Sequence, residues 1–207
     1  MGVMLTATEM DELAALTHAR VAVYRKNEMI SLENKDERTL CCLREGLAYL
    51  CMENEHYERS ILCAFRPGEA FSAEMVLGVP GGVSYLIAKY PVRVLFVGQG
   101  ELRRLCMDDA RWCERTGLLF MRQLPEGLLA HSYMLHQKSP RMRLLTYLRW
   151  ERALQGSGTL ALPMPFSDLA DYLNVDRSAL MKEIARLKRE GMLSGTRRNV
   201  VFYEQPD

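Results

Sequence analysis

The pattern of apolar and polar positions changes character about halfway along the chain. From Ala19 to Val97 the apolar residues come in short runs, ARVAVY, TLCCL, LAYLCM, SILCAF, VSYLIA and VRVLFV, rich in β-branched and aromatic side chains. Clusters of turn-forming residues separate them: Glu33-Asn-Lys-Asp, Arg44-Glu-Gly, Arg66-Pro-Gly-Glu and Val79-Pro-Gly-Gly. Short runs punctuated in this way predict strands, and their regular spacing predicts a cupin-like antiparallel β-barrel or jelly roll. Ahead of them, Met10, Leu13, Ala14 and Leu16 stand at helical spacing and predict a short lid helix over residues 8–17. After Gly100 the period becomes helical, so strands are followed by helices and the fold class is α+β.

Two helical stretches follow. Between Asp108 and Lys138, the residues Met121, Leu124, Leu128, His131 and Leu135 repeat at 3-4-3-4 spacing, the pattern of a helix packed along a partner helix. Such a seam would set two subunits side by side; the alternative is an ordinary helix packed on its own barrel. Pro125, in Pro125-Glu-Gly, lacks the amide a helix interior needs, so this stretch is either kinked there or made of two helices. Ser139-Pro140 reads as an N-cap followed by a first-turn proline, opening a helix whose apolar surface comes from Met142, Leu145, Leu148 and Trp150. Gln155-Gly-Ser-Gly-Thr ends it, and Leu160-Ala-Leu-Pro-Met-Pro reads as an extended connector. The expected organisation is a barrel over 1–107, a dimerisation helix over 108–138 and a third domain over 139–207.

The third domain carries the most specific pattern. Ser167 is placed to cap a helix over Asp168-Leu-Ala-Asp-Tyr-Leu, Asn174 suits a left-handed turn, and Asp176 is placed to cap the next helix. Leu169 and Leu173 would face inward, with Ala170 allowing close approach, Val175 filling the turn, and Leu180, Ile184 and Leu187 lining the second helix. The opposite face would show Arg177, Ser178, Met181, Lys182 and Arg186. A recognition helix presents its N-terminal residues to base edges, which makes Arg177, Ser178 and Lys182 the candidates for base readout. Arg186, Lys188 and Arg189 lie further along, at positions suited to phosphate. Ser194-Gly-Thr-Arg-Arg-Asn, followed by Val200-Val-Phe-Tyr, predicts a β-hairpin wing with Arg197 and Arg198 at its tip.

Charge strengthens that picture. The chain as a whole carries +1. Residues 1–138 hold 16 Lys and Arg against 18 Asp and Glu, whereas 139–207 hold 11 against 8. Between Arg177 and Arg198 there are seven basic residues against Glu183 and Glu190, a local bias that suits a polyanion partner. At 48% hydrophobic and 26% charged residues the chain can bury a sizeable core. It shows no secretory n-region and h-region and no unbroken apolar run approaching the roughly 20 residues of a membrane span, so a cytoplasmic protein is expected.

The run from Asp168 to Leu193, Asp-Leu-Ala-Asp-Tyr-Leu-Asn-Val-Asp-Arg-Ser-Ala-Leu-Met-Lys-Glu-Ile-Ala-Arg-Leu-Lys-Arg-Glu-Gly-Met-Leu, resembles the Crp/Fnr family of bacterial regulators, named for the cyclic-AMP receptor protein and the fumarate-nitrate regulator. Arg66-Pro-Gly-Glu-Ala-Phe and Val92-Arg-Val-Leu-Phe-Val match the family's sensor barrel more loosely, so the likeness runs over nearly the whole chain. The resemblance implies a homodimeric transcription regulator on a pseudo-palindromic double-stranded DNA operator, with RNA polymerase as a further partner. In cyclic-nucleotide sensors of the family a Gly-Glu pair and a later Arg-Ser or Arg-Thr pair hold the ribose and the cyclic phosphate. Here Ser72-Ala73 and Val83-Ser84 occupy those places. The resemblance therefore marks Phe71, Ser72, Ala73, Glu74, Val83 and Ser84 as the effector pocket, while the missing arginine argues against cyclic AMP and leaves the effector unknown.

Other chemistry finds little support. The family's iron-sulfur sensors use closely spaced cysteines near the N-terminus, whereas the first cysteine here is Cys41. Cys106 and Cys113 resemble a pair seen in this branch, which leaves a thiol or metal role open, although buried core cysteines are the expectation. His131 is expected to be a satisfied core histidine, with haem ligation the alternative. His18, His56, His131 and His136 form no ligand pair of the kind a metal cupin enzyme needs, so neither an enzyme nor a cofactor or metal site is expected. The alternatives to an effector-sensing regulator are a constitutive or partner-controlled DNA-binding protein with a vestigial barrel, and a thiol or haem redox sensor.

Overall fold

The computed structural model describes residues 4–31, 39–72, 78–79, 81–119, 124–196 and 198–203. The chain divides into two compact units, Gly2–Gly127 and Leu128–Asp207. The turn expected at Glu33-Asn-Lys-Asp lies outside the described residues.

In the first unit, α1 (Ala7–Thr17) begins at a capping box in which the Thr6 hydroxyl accepts from the Glu9 amide and Glu9 accepts from the Thr6 amide. Eight strands follow: β1 (Arg20–Tyr24), β2 (Thr39–Glu45), β3 (Ala48–Asn54), β4 (Arg59–Phe65), β5 (Ala70–Ser72), β6 (Gly78–Val79), β7 (Gly82–Ala88) and β8 (Val92–Gly98). They form two four-stranded sheets, ordered β1-β8-β2-β5 and β4-β3-β7-β6, with every pairing antiparallel. The six expected strands are all present. β5 and β6 were not anticipated, because three- and two-residue strands are too short to show a period.

Both sheets contribute to one apolar core: Tyr24, Cys41, Leu43, Phe71, Val92, Val94 and Phe96 from the first and Ala48, Leu50, Phe65, Leu86 and Ala88 from the second. A second cluster covers the other face of the first sheet. There Leu40, Cys42, Leu95 and Val97 meet Met10 and Leu13 of α1, Leu105 of α2 (Gln99–Asp108) and Trp112 of α3 (Ala110–Leu118). Leu16, expected on the lid's buried face, is instead half exposed, while Thr17 is buried. Arg115 of α3 clasps Glu9 of α1 through Nε at 2.8 Å, which holds the Glu9 carboxyl down at about 2. Between β4 and β5, Gly68 turns at φ +90° and donates to Leu43 O at 2.8 Å. A Cβ there would meet Leu5 O at 2.4 Å, so only glycine serves.

α4 (Leu124–His136) places Pro125 at its second residue, where a missing amide costs nothing. In the second unit α5 (Pro140–Gln155) begins with Ser139 as N-cap, its hydroxyl accepting from the Met142 amide, and ends at Gly156 in the left-handed region. Leu144, Leu145, Tyr147 and Leu148 form its buried face, whereas Met142 points outward. Next come β9 (Thr159–Ala161), α6 (Phe166–Leu173), α7 (Arg177–Arg189), β10 (Leu193–Thr196) and β11 (Asn199–Phe202). The last two strands form a hairpin and β9 pairs with β11, so the expected connector is a third strand of the wing.

Candidate nucleic-acid interface

The helix-turn-helix assembles from its caps and its leucines. Pro165 is the N-cap of α6, two residues earlier than expected: the Pro165 carbonyl accepts from Asp168 and Leu169, and Ser167 lies inside the first turn with its hydroxyl on Asp168 at 3.1 Å. Proline fits this place because its fixed φ and extended ψ lead into a helix. Asn174 ends α6 at φ 48°, ψ 57°, and Asp176 caps α7 by accepting from the Ser178 and Ala179 amides at 2.8 and 3.1 Å. The Ser178 hydroxyl and those amides hold the Asp176 carboxyl below its ordinary range. Leu169, Ala170, Leu173, Leu180, Ile184 and Leu187 are buried, as the spacing predicts.

Three polar side chains brace this unit, Arg141 and Arg143, which the sequence did not single out, and His131, which it did. Arg143 of α5 donates to the carbonyls of Leu173 and Asn174 at 3.0 and 2.7 Å, holding the turn between the two helices. Arg141 donates to Glu190 at 2.5 Å and lies 3.7 Å from Glu183, drawing both acidic residues at this end of the module towards α5. These contacts, the Arg141 hydrogen bond foremost, keep the Glu190 carboxyl below its ordinary range. His131 of α4 is buried; its Nε2–H donates to the Tyr172 carbonyl at 2.6 Å, and its ring lies 4.3 Å from the Tyr172 ring. It is the satisfied core histidine anticipated. Of the proposed seam, Leu128 is exposed while His131 is turned inward with Met134, and among the described residues of α4 Leu129 and Tyr133 are exposed beside Leu128. Met121 lies outside the described residues.

With the acidic residues drawn aside, the free face of α7 is basic. Arg177, Ser178, Met181, Lys182, Arg186, Lys188 and Arg189 are all exposed. Arg177 is only loosely held, 3.5 Å from Asp171, and Lys182 and Arg189 make no ion pair among the described residues. The others are committed within the unit. The Ser178 hydroxyl donates to Asp176 at 2.5 Å, Arg186 Nε to Glu190 at 2.9 Å, and Lys188 Nζ to the Gly195 carbonyl at 2.7 Å, tying helix to wing. Gly195, at φ +92°, admits the hairpin turn, since a Cβ would meet Asn199 O at 2.4 Å. Arg198 is exposed and donates to Pro163 O at 3.3 Å; Arg197 lies outside the described residues.

The effector-pocket candidates divide by strand parity. Phe71 and Ser84 are buried: Phe71 belongs to the core between the sheets, 5.1 Å from Phe65, and Ser84 alternates in register with Leu86 and Ala88. Ser72 pairs with Leu40, whose side chain belongs to the other face, and Val83 is 56% exposed. Ala73 and Glu74 lie outside the described residues. The cysteine expectation is corrected: Cys113 is exposed and Cys106 half-buried, because the helices that carry them face solvent there. Burial raises the Cys106 thiol, which sits 3.8 Å from the Thr116 hydroxyl. Among the described residues, no three His, Cys, Asp or Glu side chains cluster as metal ligands, and no helix is long and apolar enough to cross a membrane.

Two helices about a tight turn, a basic second helix and a three-stranded wing define a winged helix-turn-helix, the architecture of DNA-reading domains. Residues 142–205 match the family described as Crp-like helix-turn-helix domain. Over the whole chain the fold is similar to FixK2 from Bradyrhizobium japonicum, at 22% identity and TM-score 0.69, covering 90% of this chain and 93% of that one. It is also similar to a CooA mutant from Carboxydothermus hydrogenoformans, at 15% identity and TM-score 0.75, covering 91% and 85%. A third likeness is to the c-di-GMP responsive regulator CLP of Xanthomonas campestris, at 16% identity and TM-score 0.64, covering 96% and 100%. A comparison with curated protein sequences gives no match. The resemblance to the Crp/Fnr family is borne out: the chain has the fold of those regulators, and its second unit carries their DNA-binding domain.

Proposed function

We propose that the protein is a homodimeric, sequence-specific transcription regulator of the Crp/Fnr type that responds to a small effector other than cyclic AMP. The observation that carries this reading is the exposed N-terminal half of α7, where Arg177 and Lys182 stand free of strong ion pairs on a braced helix-turn-helix. Arginine there can donate two hydrogen bonds to guanine, while Arg189 and the wing residues Arg197 and Arg198 neutralise phosphates and Ser178 adds a hydroxyl beside the bases. Leu129, 70% exposed, and Tyr133, 63% exposed, stand one turn apart on α4 and suit contact with a second copy. In this reading 1–107 senses, 108–138 pairs the subunits and 139–207 reads DNA, with half-sites about 34–36 Å apart. Ser84 and Phe71 face the sandwich interior where an effector would enter, and Val83 stands where the family's phosphate-binding arginine would be.

Sedimentation and DNA selection test the reading. The purified protein is expected to sediment as a dimer, to become monomeric when Leu129 and Tyr133 are both replaced by glutamate, and to enrich a two-fold symmetric sequence from random duplexes. Arg177→Ala is expected to cost about 1–3 kcal/mol at one base position and to relax specificity there. A monomer that binds every sequence alike would refute the proposal. A thermal-shift screen of cyclic nucleotides, haem, metals and small organic acids then separates effector control from constitutive binding.

A further inference from the structure

The exposed face of α7 contains one large apolar side chain. Met181 is 50% exposed, and Ala185, one turn further on, is exposed too. Single exposed apolar residues are ordinary on protein surfaces. Met181 differs in its setting, because its position in the second turn of α7 puts it four residues from Arg177 and three from Ser178, on the arc that this helix turns away from Leu180, Ile184 and Leu187. Of its polar neighbours, Ser178 is committed to Asp176, while Arg177 and Lys182 flank the thioether on the same exposed face. Methionine is unbranched, flexible and polarisable, and fits itself to small apolar partners.

The major groove offers one apolar group, the 5-methyl of thymine, among donors and acceptors. We propose that Met181, flanked by Ala185, is a specificity-determining residue that packs against a thymine methyl, within about two base pairs of the base read by Arg177, four residues being roughly 6 Å along a helix. The proposal rests on the DNA-reading function argued above. It adds that part of the sequence preference is an apolar contact rather than a hydrogen bond. It also accounts for an apolar residue in a face that is otherwise polar or small.

The test removes one methyl group from the DNA. Full-length protein selects its preferred duplex from a random pool, and each thymine of that duplex is then replaced singly by deoxyuridine. Wild type is expected to lose about fourfold in affinity at one thymine of each half-site, the value of a buried carbon. Met181→Ala, an exposed change, is expected to bind the thymine and uracil forms of that position equally, to keep its affinity for random DNA and to melt as wild type does, whereas Met181→Leu keeps the preference. If no thymine responds in wild type, or if Met181→Ala keeps the full fourfold preference, the contact does not exist although the protein still reads DNA. If no sequence is enriched at all, the DNA-reading function falls first and the contact with it.

Discussion

The two units keep their distinctive groups in opposite places. In the first, large apolar side chains lie between two sheets, Phe65 and Phe71 with their tilted rings 5.1 Å apart, and the exposed Arg20 guanidinium covers the Phe96 ring at 4.3 Å. In the second, Leu169, Leu173, Leu180, Ile184 and Leu187 fill the helix-turn-helix, His131, Glu151 and Asp168 are buried beside them, and the arginines Arg141 and Arg143 work at the margins on carboxylates and carbonyls. A domain that reads a rigid polyanion needs its chemistry outside and its frame stiff. A domain that takes up a small molecule, as proposed for the first unit, needs its chemistry inside, where the same residues also serve as core.

The sharpest way to break this contrast is to hollow out each core in turn. Phe71→Ala is expected to cost about 3–5 kcal/mol and Leu180→Ala about 2–5 kcal/mol, read by urea denaturation. Hydrogen exchange tells which unit loosens: Phe71→Ala should expose the amides of β2, its sheet neighbour, and of β8 beyond it, and Leu180→Ala those of α6 and α7. Equal loosening of both units by either variant would show that they do not open separately.

A smaller effect probes the frame alone. Asp176→Ala removes the acceptor for two amides at the start of α7 and is expected to cost about 1 kcal/mol, with faster exchange at Ser178 and Ala179. Asp176→Asn should retain most of that stability, since its side-chain oxygen still accepts. DNA affinity should fall more for the alanine variant than its stability loss implies, because the cap sets the first turn on which Arg177 stands. Equal affinity in all three proteins would separate the cap from the reading face.

The same contrast governs what was legible in the sequence. The helix-turn-helix could be read because its signals are local: the Asp176 cap, the left-handed Asn174 and leucines at helical spacing each constrain the next few residues. Ser167 misled because serine is the commoner cap, while Pro165 reaches the same backbone geometry without a side-chain acceptor. On α4 a 3-4 repeat marks an apolar stripe without saying which part the chain covers for itself: Leu128 is exposed, whereas Tyr172 claims His131. The barrel's strands were legible as runs, but a pocket depends on parity, and adjacent residues such as Phe71 and Ser72 face opposite sides of a sheet. Arg143 gave no local sign of its role in the turn, since the two carbonyls it holds there lie 30 and 31 residues away.

The smallest effect follows from His131. Burial lowers its pKa from the ordinary 6.5, with the Tyr172 carbonyl opposing in part, so the folded unit holds a neutral ring with the proton on Nε2. Above pH 6.5 neither the folded nor the unfolded state is protonated there, and the ring's contribution is fully present. As the pH falls below 6.5 the unfolded chain takes up a proton that the folded unit refuses, so stability is lost progressively down to the lowered folded value. The other histidines, His18, His56 and His136, are exposed, which leaves His131 as the buried titrating ring in this window. Wild type should therefore show a urea midpoint that declines as the pH falls below 6.5, ahead of the carboxylates. His131→Phe should start lower at pH 7.5, since it leaves the Tyr172 carbonyl without its donor at a cost of about 1–3 kcal/mol, and should then stay flat. Two curves that run parallel across this range would show that the ring takes up its proton in place, and that the second unit's interior is more open to charge than its packing implies.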